Sequence, residues 1–126
     1  MTTSNYKSIA ANLKFEGRAF IGGKYVDAID GGRFETINPA TGDTLCSVAK
    51  CNYKDVDLAV KVSRKAFNSG IWSRTSPEFR KDILLKFAEL LRKNGEENSV
   101  LECVDTGKLI GDCINEVAND TPMHFQ

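Results

Sequence analysis

The sequence predicts an α/β chain in which two β-hairpins are followed by three to four α-helices, and three observations carry that expectation. Between residues 19 and 48, short apolar–polar alternations are broken by Gly22-Gly23 and by Asn38-Pro39-Ala40-Thr41-Gly42, residue types that close tight turns. From Asn52 onward, apolar residues recur at helical spacing. Capping and breaking residues divide that stretch at Gly70, Ser76-Pro77, Asn94-Gly95 and Gly107.

Taken in order, Tyr6, Ile9, Ala10 and Leu13 suggest a short leading helix over 5–15 that ends before Gly17. Ala19-Phe20-Ile21 and Lys24-Tyr25-Val26 then flank a two-glycine turn and read as a hairpin. After the turn at Asp30-Gly31-Gly32, Phe34–Ile37 and Leu45–Val48 form the second hairpin. Asn52 is the expected N-cap of the next helix, with Asp55 placing negative charge in its first turn. Its buried stripe is Val56, Ala59, Val60, Ser63 and Phe67, and Gly70 stops it. Ile71-Trp72 lead to Ser76 as cap and Pro77 at the first helical position, where its missing N–H costs nothing. Ile83, Phe87, Leu90 and Leu91 are the face expected inward. A third helix restarts near Glu96, buries Val100, Leu101 and Val104, and meets Gly107 as a left-handed cap. A fourth begins near Gly111 with Ile114, Val117 and Ala118, and runs to Gln126 without a C-cap, so a chain cut short in mid-element is expected.

Composition excludes several classes of function. Seventeen basic and seventeen acidic residues interleave along 126 positions, so no one-signed field gathers nucleic acid or anionic lipid. No window is long and apolar enough for a membrane span, and the first residues lack an export pattern. Cytoplasmic localisation follows as the expectation, with Cys46, Cys51, Cys103 and Cys113 as free, buried, inert thiols.

Chemical motifs are incomplete. Neither Gly23-Lys24 nor Gly107-Lys108 has the first glycine or the following Ser/Thr of a phosphate loop, and no G-x-G-x-x-G follows a strand. Asp105-Thr106-Gly107 matches an aspartic protease triplet in wording, but it ends a helical pattern where such loops follow strands. Cys46 and Cys51 find no second zinc half-site, His124 has no nucleophile beside it, and Trp72 is expected to pack.

Seven segments together carry more information than any one of them: Phe20 to Val26, Thr36 to Gly42, Asp55 to Val60, Ala66-Phe67, Trp72-Ser73, Arg80 to Leu91 and Leu101 to Lys108. In order and spacing they resemble the opening third of NAD(P)-dependent aldehyde dehydrogenases. The wording from Trp72 to Lys81 is most similar to the branch that oxidises amino- and γ-glutamylamino-aldehydes. The resemblance implies that residues 1–126 are the N-terminal portion of a dinucleotide-binding domain, lacking its phosphate-binding part and the catalytic domain. It implies a parent enzyme that uses NAD or NADP and a cysteine thiohemiacetal, assembles as a homo-oligomer, and needs the remainder of the enzyme for activity. No catalytic residue carries over, because none of the four cysteines sits in the family's nucleophile motif. Thr36, Ile37 and Asp105 do match the family's structural monovalent-cation site, an oxygen-rich setting suited to a hard ion. Leu109 departs from the proline usual after Gly-Lys. On this reading the isolated chain binds no cofactor and is inactive. The alternative is a non-catalytic remnant or small interaction module, which exposed apolar faces on the second hairpin would favour.

Overall fold

The computed structural model describes residues 3–125. Its elements run α1 (Thr3–Asn12), β1 (Ala19–Ile21), β2 (Lys24–Val26), β3 (Arg33–Ile37), β4 (Thr44–Ala49), α2 (Tyr53–Ser69), α3 (Pro77–Lys93), α4 (Gly95–Thr106), α5 (Ile110–Cys113), a π-helical stretch (Ile114–Asp120) and α6 (Thr121–Met123). They fall into two compact units: one holds Phe15–Thr36 and Thr44–Ser76, the other α1, the turn Ile37–Asp43 and everything from Pro77 on.

In the strand-bearing unit, β1 and β2 pair antiparallel with Ala19 opposite Val26, Phe20 opposite Tyr25 and Ile21 opposite Lys24. Gly22 and Gly23 make the turn at φ 65° and 80°, the doubly positive conformation that a twisted two-residue hairpin requires. Across the hairpin the Phe20 and Tyr25 rings lie 5.1 Å apart, and the Arg18 guanidinium sits 5.7 Å from the Tyr25 centroid. Arg18 also grips Glu16 through two parallel bonds of 2.8 and 2.7 Å, which hold the Glu16 carboxyl down at about 2. β3 and β4 form the second two-stranded sheet. Arg33 fastens it, donating to the Ser47 carbonyl at 2.6 Å and Oγ at 3.1 Å while pairing with Asp27 at 3.1 Å.

The start of α2 organises this unit. Asn52 Oδ1 accepts the Lys54 N–H, and Asp55 Oδ2 accepts the Asn52 N–H, each at 2.8 Å, completing a reciprocal capping box. The other oxygen of Asp55 accepts the Ile29 N–H at 2.8 Å, and Asn52 Nδ2 donates to Asp30 Oδ2 at 2.8 Å. Helix α2 is thereby tied to the loop after β2. Asp55 is 2 % exposed, so a residue expected only as a first-turn charge is a buried connector. The helix closes at Gly70 as the sequence predicts.

The expected inward stripe of α2 does not go inward. Val56, Val60 and Phe67 are more than half exposed, whereas Val62 meets the hairpin turn, close enough that a Cβ on Gly22 would lie 3.2 Å from it. Three-residue strands are too small to cover a helix of 17 residues, so the sheet takes one narrow face and leaves the apolar one.

In the helical unit, α4 is central. It buries Gly95, Ser99 and Val100, with Ser99 Oγ turned back onto the Gly95 carbonyl at 2.6 Å. A Cβ on Gly95 would lie 2.7 Å from Ala118 Cβ, so this glycine sets how closely the π-helical stretch approaches. Val104 is half-buried, but Leu101 is exposed, contrary to expectation. On α3 the fully buried residue is Ala88, and the anticipated Ile83, Phe87 and Leu90 are exposed, Leu91 being half-buried. The Phe87 and Phe125 rings meet in a T-shaped arrangement with centroids 5.0 Å apart. The fourth helix starts at Ile110 and widens to a π register, in which Thr121 sends both its N–H and its hydroxyl to the Glu116 carbonyl. Pro122 has no N–H to continue the tighter ladder, which is why that register is favoured locally. Cys113 and Pro122 are buried there.

Replacing Asp55 by Ala removes one member of the capping box and strands two main-chain donors. A loss of about 2–4 kcal/mol of unfolding free energy is expected from a urea titration, on the cost of a lost cap plus unsatisfied buried groups. A change below roughly 0.5 kcal/mol, the level of an ordinary surface substitution, would show that Asp55 does not hold the unit together.

Candidate functional site

The three residues matched to a cation site do not lie in one compact unit. Thr36 belongs to the strand-bearing unit, while Ile37 and Asp105 belong to the helical one. Thr36, at the end of β3, is half-buried with its hydroxyl 3.9 Å from Cys46 Sγ. Ile37 follows it at the mouth of the turn, which Asn38 shapes by donating its N–H to the Asp43 carbonyl and accepting the Gly42 N–H on its own carbonyl, each at 2.8 Å. Asn38 Oδ1 also accepts the Ala40 N–H at 2.9 Å.

Asp105 stands in the last turn of α4, exposed and in no ion pair among the described residues. Beyond it, Gly107 takes φ 75° and donates its N–H to the Cys103 carbonyl at 2.9 Å. The sequence predicts this left-handed cap, and the structure adds its neighbour: a Cβ on Gly107 would lie 2.8 Å from Pro39 Cγ. The Pro39 turn therefore rests on the end of α4, which brings the segments carrying Ile37 and Asp105 together. A carboxylate beside turn carbonyls is a donor set for a hard cation. Among the described residues there is no cluster of three or more His, Cys, Asp or Glu that would hold a metal by side chains alone.

Lys108, weighed in the sequence only as part of a failed phosphate-loop pattern, takes a different place in the structure. Its ammonium reaches Glu116 at 2.6 Å and Glu102 at 3.5 Å, which raises its pKa, chiefly through the Glu116 hydrogen bond. Its carbonyl accepts from Cys103 Sγ at 3.1 Å. Lys108 lies outside either helix, between α4 and α5, so the corner between them makes Glu102, Lys108 and Glu116 neighbours, not spacing along one helix.

The remaining candidates separate cleanly. Asp105-Thr106-Gly107 is a helix C-terminus, with Thr106 Oγ1 on the Glu102 carbonyl at 2.7 Å. The cysteines were expected buried, yet only Cys113 is: Cys46 and Cys103 are half-buried and Cys51 is exposed. Burial pushes the Cys113 thiol up, the reverse of what activates a nucleophile. Trp72 is 41 % exposed instead of packed, and His124 lies exposed after α6. Concave features among the described residues include a polar cleft lined by α1 and the α3–α4 junction, and an apolar groove on α2 lined by Ala59, Val60, Ser63, Arg64 and Phe67. Neither has the glycine-rich strand-to-helix turn that cradles a pyrophosphate.

Residues 25–123 match the model of the aldehyde dehydrogenase family. Aldehyde dehydrogenase 1 of Tanacetum cinerariifolium is 52% identical over 104 residues, covering 82% of this chain and 21% of that protein. Aminoacetaldehyde dehydrogenase of Pseudomonas aeruginosa is 43% identical over 113 residues, 90% of this chain and 23% of the relative. Among solved structures, the P. syringae indole-3-acetaldehyde dehydrogenase AldA in complex with NAD+ and IAA superposes with a TM-score of 0.95 at 41% identity, over 99% of this chain and 25% of that one. Gamma-glutamyl-gamma-aminobutyraldehyde dehydrogenase from Burkholderia cenocepacia gives 0.93 at 39% identity, over 98% and 25%. The chain thus spans about a quarter of the length of these relatives, less than the third its motifs suggested.

Substituting Gly107 by Ala imposes a left-handed backbone on a residue with a Cβ and drives that carbon into Pro39. The expected loss is about 2 kcal/mol or somewhat more in thermal unfolding. Gly111 is the control, since nothing lies within 4 Å of its added Cβ and it sits in helical geometry. Gly111→Ala is expected to be neutral or stabilising by up to about 1 kcal/mol. Equal effects at both glycines would contradict the contact.

Proposed function

Since the chain belongs to the aldehyde dehydrogenase family, we propose that it is the N-terminal portion of the dinucleotide-binding domain of an enzyme that oxidises an aldehyde to the carboxylic acid with NAD(P)+. The family match over residues 25–123 is the observation that carries this reading. An aminoaldehyde is the preferred substrate class, supported by relatives that bear the names aminoacetaldehyde dehydrogenase and gamma-glutamyl-gamma-aminobutyraldehyde dehydrogenase. We place the enzyme in the reducing cytoplasm as a homo-oligomer, with a cysteine thiolate elsewhere in the parent forming the thiohemiacetal.

When bound, the nicotinamide supplies the hydride acceptor. The residues here do not fit it, because neither cleft offers a phosphate cradle, so no step of the reaction is assigned to them. They supply scaffold. In the absence of the remaining elements the 126-residue chain is inactive: its buried thiol is pushed toward the neutral form, and His124 lies exposed after a short helix.

Thr36, Ile37 and Asp105 would contribute oxygen ligands to a structural monovalent cation in the parent. Asp105, exposed and in no ion pair among the described residues, lies two residues before Gly107, against which Pro39 rests; that placement supports the role, and further ligands would come from other parts of the enzyme.

A second reading, a non-catalytic interaction module, is favoured by Phe34 and Ile37, both exposed on β3. Their counterparts Leu45 and Val48 on β4 are half-buried, which gives that reading one strand of the two it needs.

Two measurements check the proposal. Incubated with NAD+ and an aminoaldehyde, the isolated chain is expected to produce NADH no faster than a buffer blank, whereas the full-length enzyme turns over. Steady turnover by the chain alone contradicts its assignment as scaffold. In the full-length enzyme, raising sodium or potassium at constant ionic strength with a bulky organic cation should increase Tm, and Asp105→Ala should abolish that increase. An unchanged salt response in the variant removes Asp105 from the site.

A further inference from the structure

We propose that the polar cleft between α1 and the α3–α4 junction binds a small zwitterion carrying a primary ammonium at one end and a carboxylate at the other. Ser8, Ile9 and Asn12 form one wall, and Arg92, Lys93 and Glu96 the other, around about 610 Å³. That volume falls in the range of small-molecule sites. All of these residues belong to the helical unit, so the cleft does not depend on the strand-bearing one.

The charge arrangement selects the ligand. Arg92 and Lys93 end α3, Glu96 and Glu97 open α4, and none of the four joins the ion pairs at Glu16–Arg18, Asp27–Arg33, Glu102–Lys108 or Lys108–Glu116. Opposite charges thus line one cleft without neutralising each other. Glu96 is one of the lining residues, and its Oε1 is shut from solvent and has no hydrogen-bond donor. A buried carboxylate oxygen left unpaired is costly, and the broad terminal torsion of glutamate lets that oxygen turn toward a donor in the cleft. An ammonium meets the requirement. A simple cation would still be repelled by Arg92 and Lys93, and a simple anion by Glu96 and Glu97. A molecule with both charges, separated by methylenes lying along Ile9, satisfies the two ends together.

The test uses the isotopically labelled 126-residue chain and amide NMR spectra. β-Alanine, γ-aminobutyrate and ε-aminocaproate serve as probes of increasing spacer length, with propionate and propylammonium as half-ligands. At least one amino acid should give saturable shifts confined to amides of Ser8–Asn12 and Arg92–Glu97, with each half-ligand weaker by roughly tenfold or more. Glu96→Gln and Lys93→Ala should each weaken the amino acid by a similar factor. Lys93 is exposed, so its variant keeps the test open if Glu96→Gln unfolds the chain. Saturable binding of a half-ligand as tight as the amino acid, unchanged affinity in the Lys93 variant, or no saturable shift with any spacer overturns the proposal.

Discussion

The two hydrogen-bonding oxygens of Asp55 are the constraint on which the strand-bearing unit depends. One closes the capping box of α2 and the other holds the Ile29 N–H, so a single carboxylate joins a helix terminus to the loop leaving β2. A buried carboxylate is costly unless its acceptors are filled, and at Asp55 main-chain donors reach both oxygens. Asn52 and Asp30 repeat the tie from the opposite direction. The small sheets contribute little burial of their own, so polar connections take over a role that a core performs in larger units. Among the described residues of this unit, Ala28 and Asp55 are the buried ones.

The helical unit solves its packing differently. Small residues at Gly95, Ser99 and Ala118 let helix backbones approach, and the π register around Glu116 and Thr121 accommodates a proline that an unbroken helix would not. Lys108 then bridges the corner through Glu102 and Glu116. Such exposed pairs contribute modestly to stability, so their role is to fix the geometry of the corner more than to hold the fold. The consequence for function is positional. The end of α4 that carries Asp105 and the Pro39 turn keep a fixed relation because Gly107, having no Cβ, lets the Pro39 ring rest against it.

Much of the local structure was legible in advance. Gly22-Gly23, Asn52 with Asp55, Gly70 and Gly107 each act through their own backbone conformation or a donor a few residues away, and each ends or begins the element expected of it. Burial was less legible. Val56, Val60 and Phe67 on α2, and Ile83, Phe87 and Leu90 on α3, have the periodicity of an inward face but lie exposed in this chain. Periodicity reports that one side of a helix is apolar; it does not say what covers that side. Residues 102, 108 and 116 were likewise illegible as a group, because their proximity depends on a turn between helices and not on spacing within one.

By itself, then, the order of amino acids determined the succession of hairpins and helices and the family to which the chain belongs, since caps, turns and motif wording are short-range properties. Tertiary structure alone decided that Asp55 is a buried connector, that Ala88 and Cys113 take the interior in place of larger apolar residues, and that Thr36 falls in a different unit from Ile37 and Asp105. Those outcomes depend on which surfaces meet in space. Contact between distant segments is set by the volumes and donors available at each meeting point, quantities that no local pattern encodes.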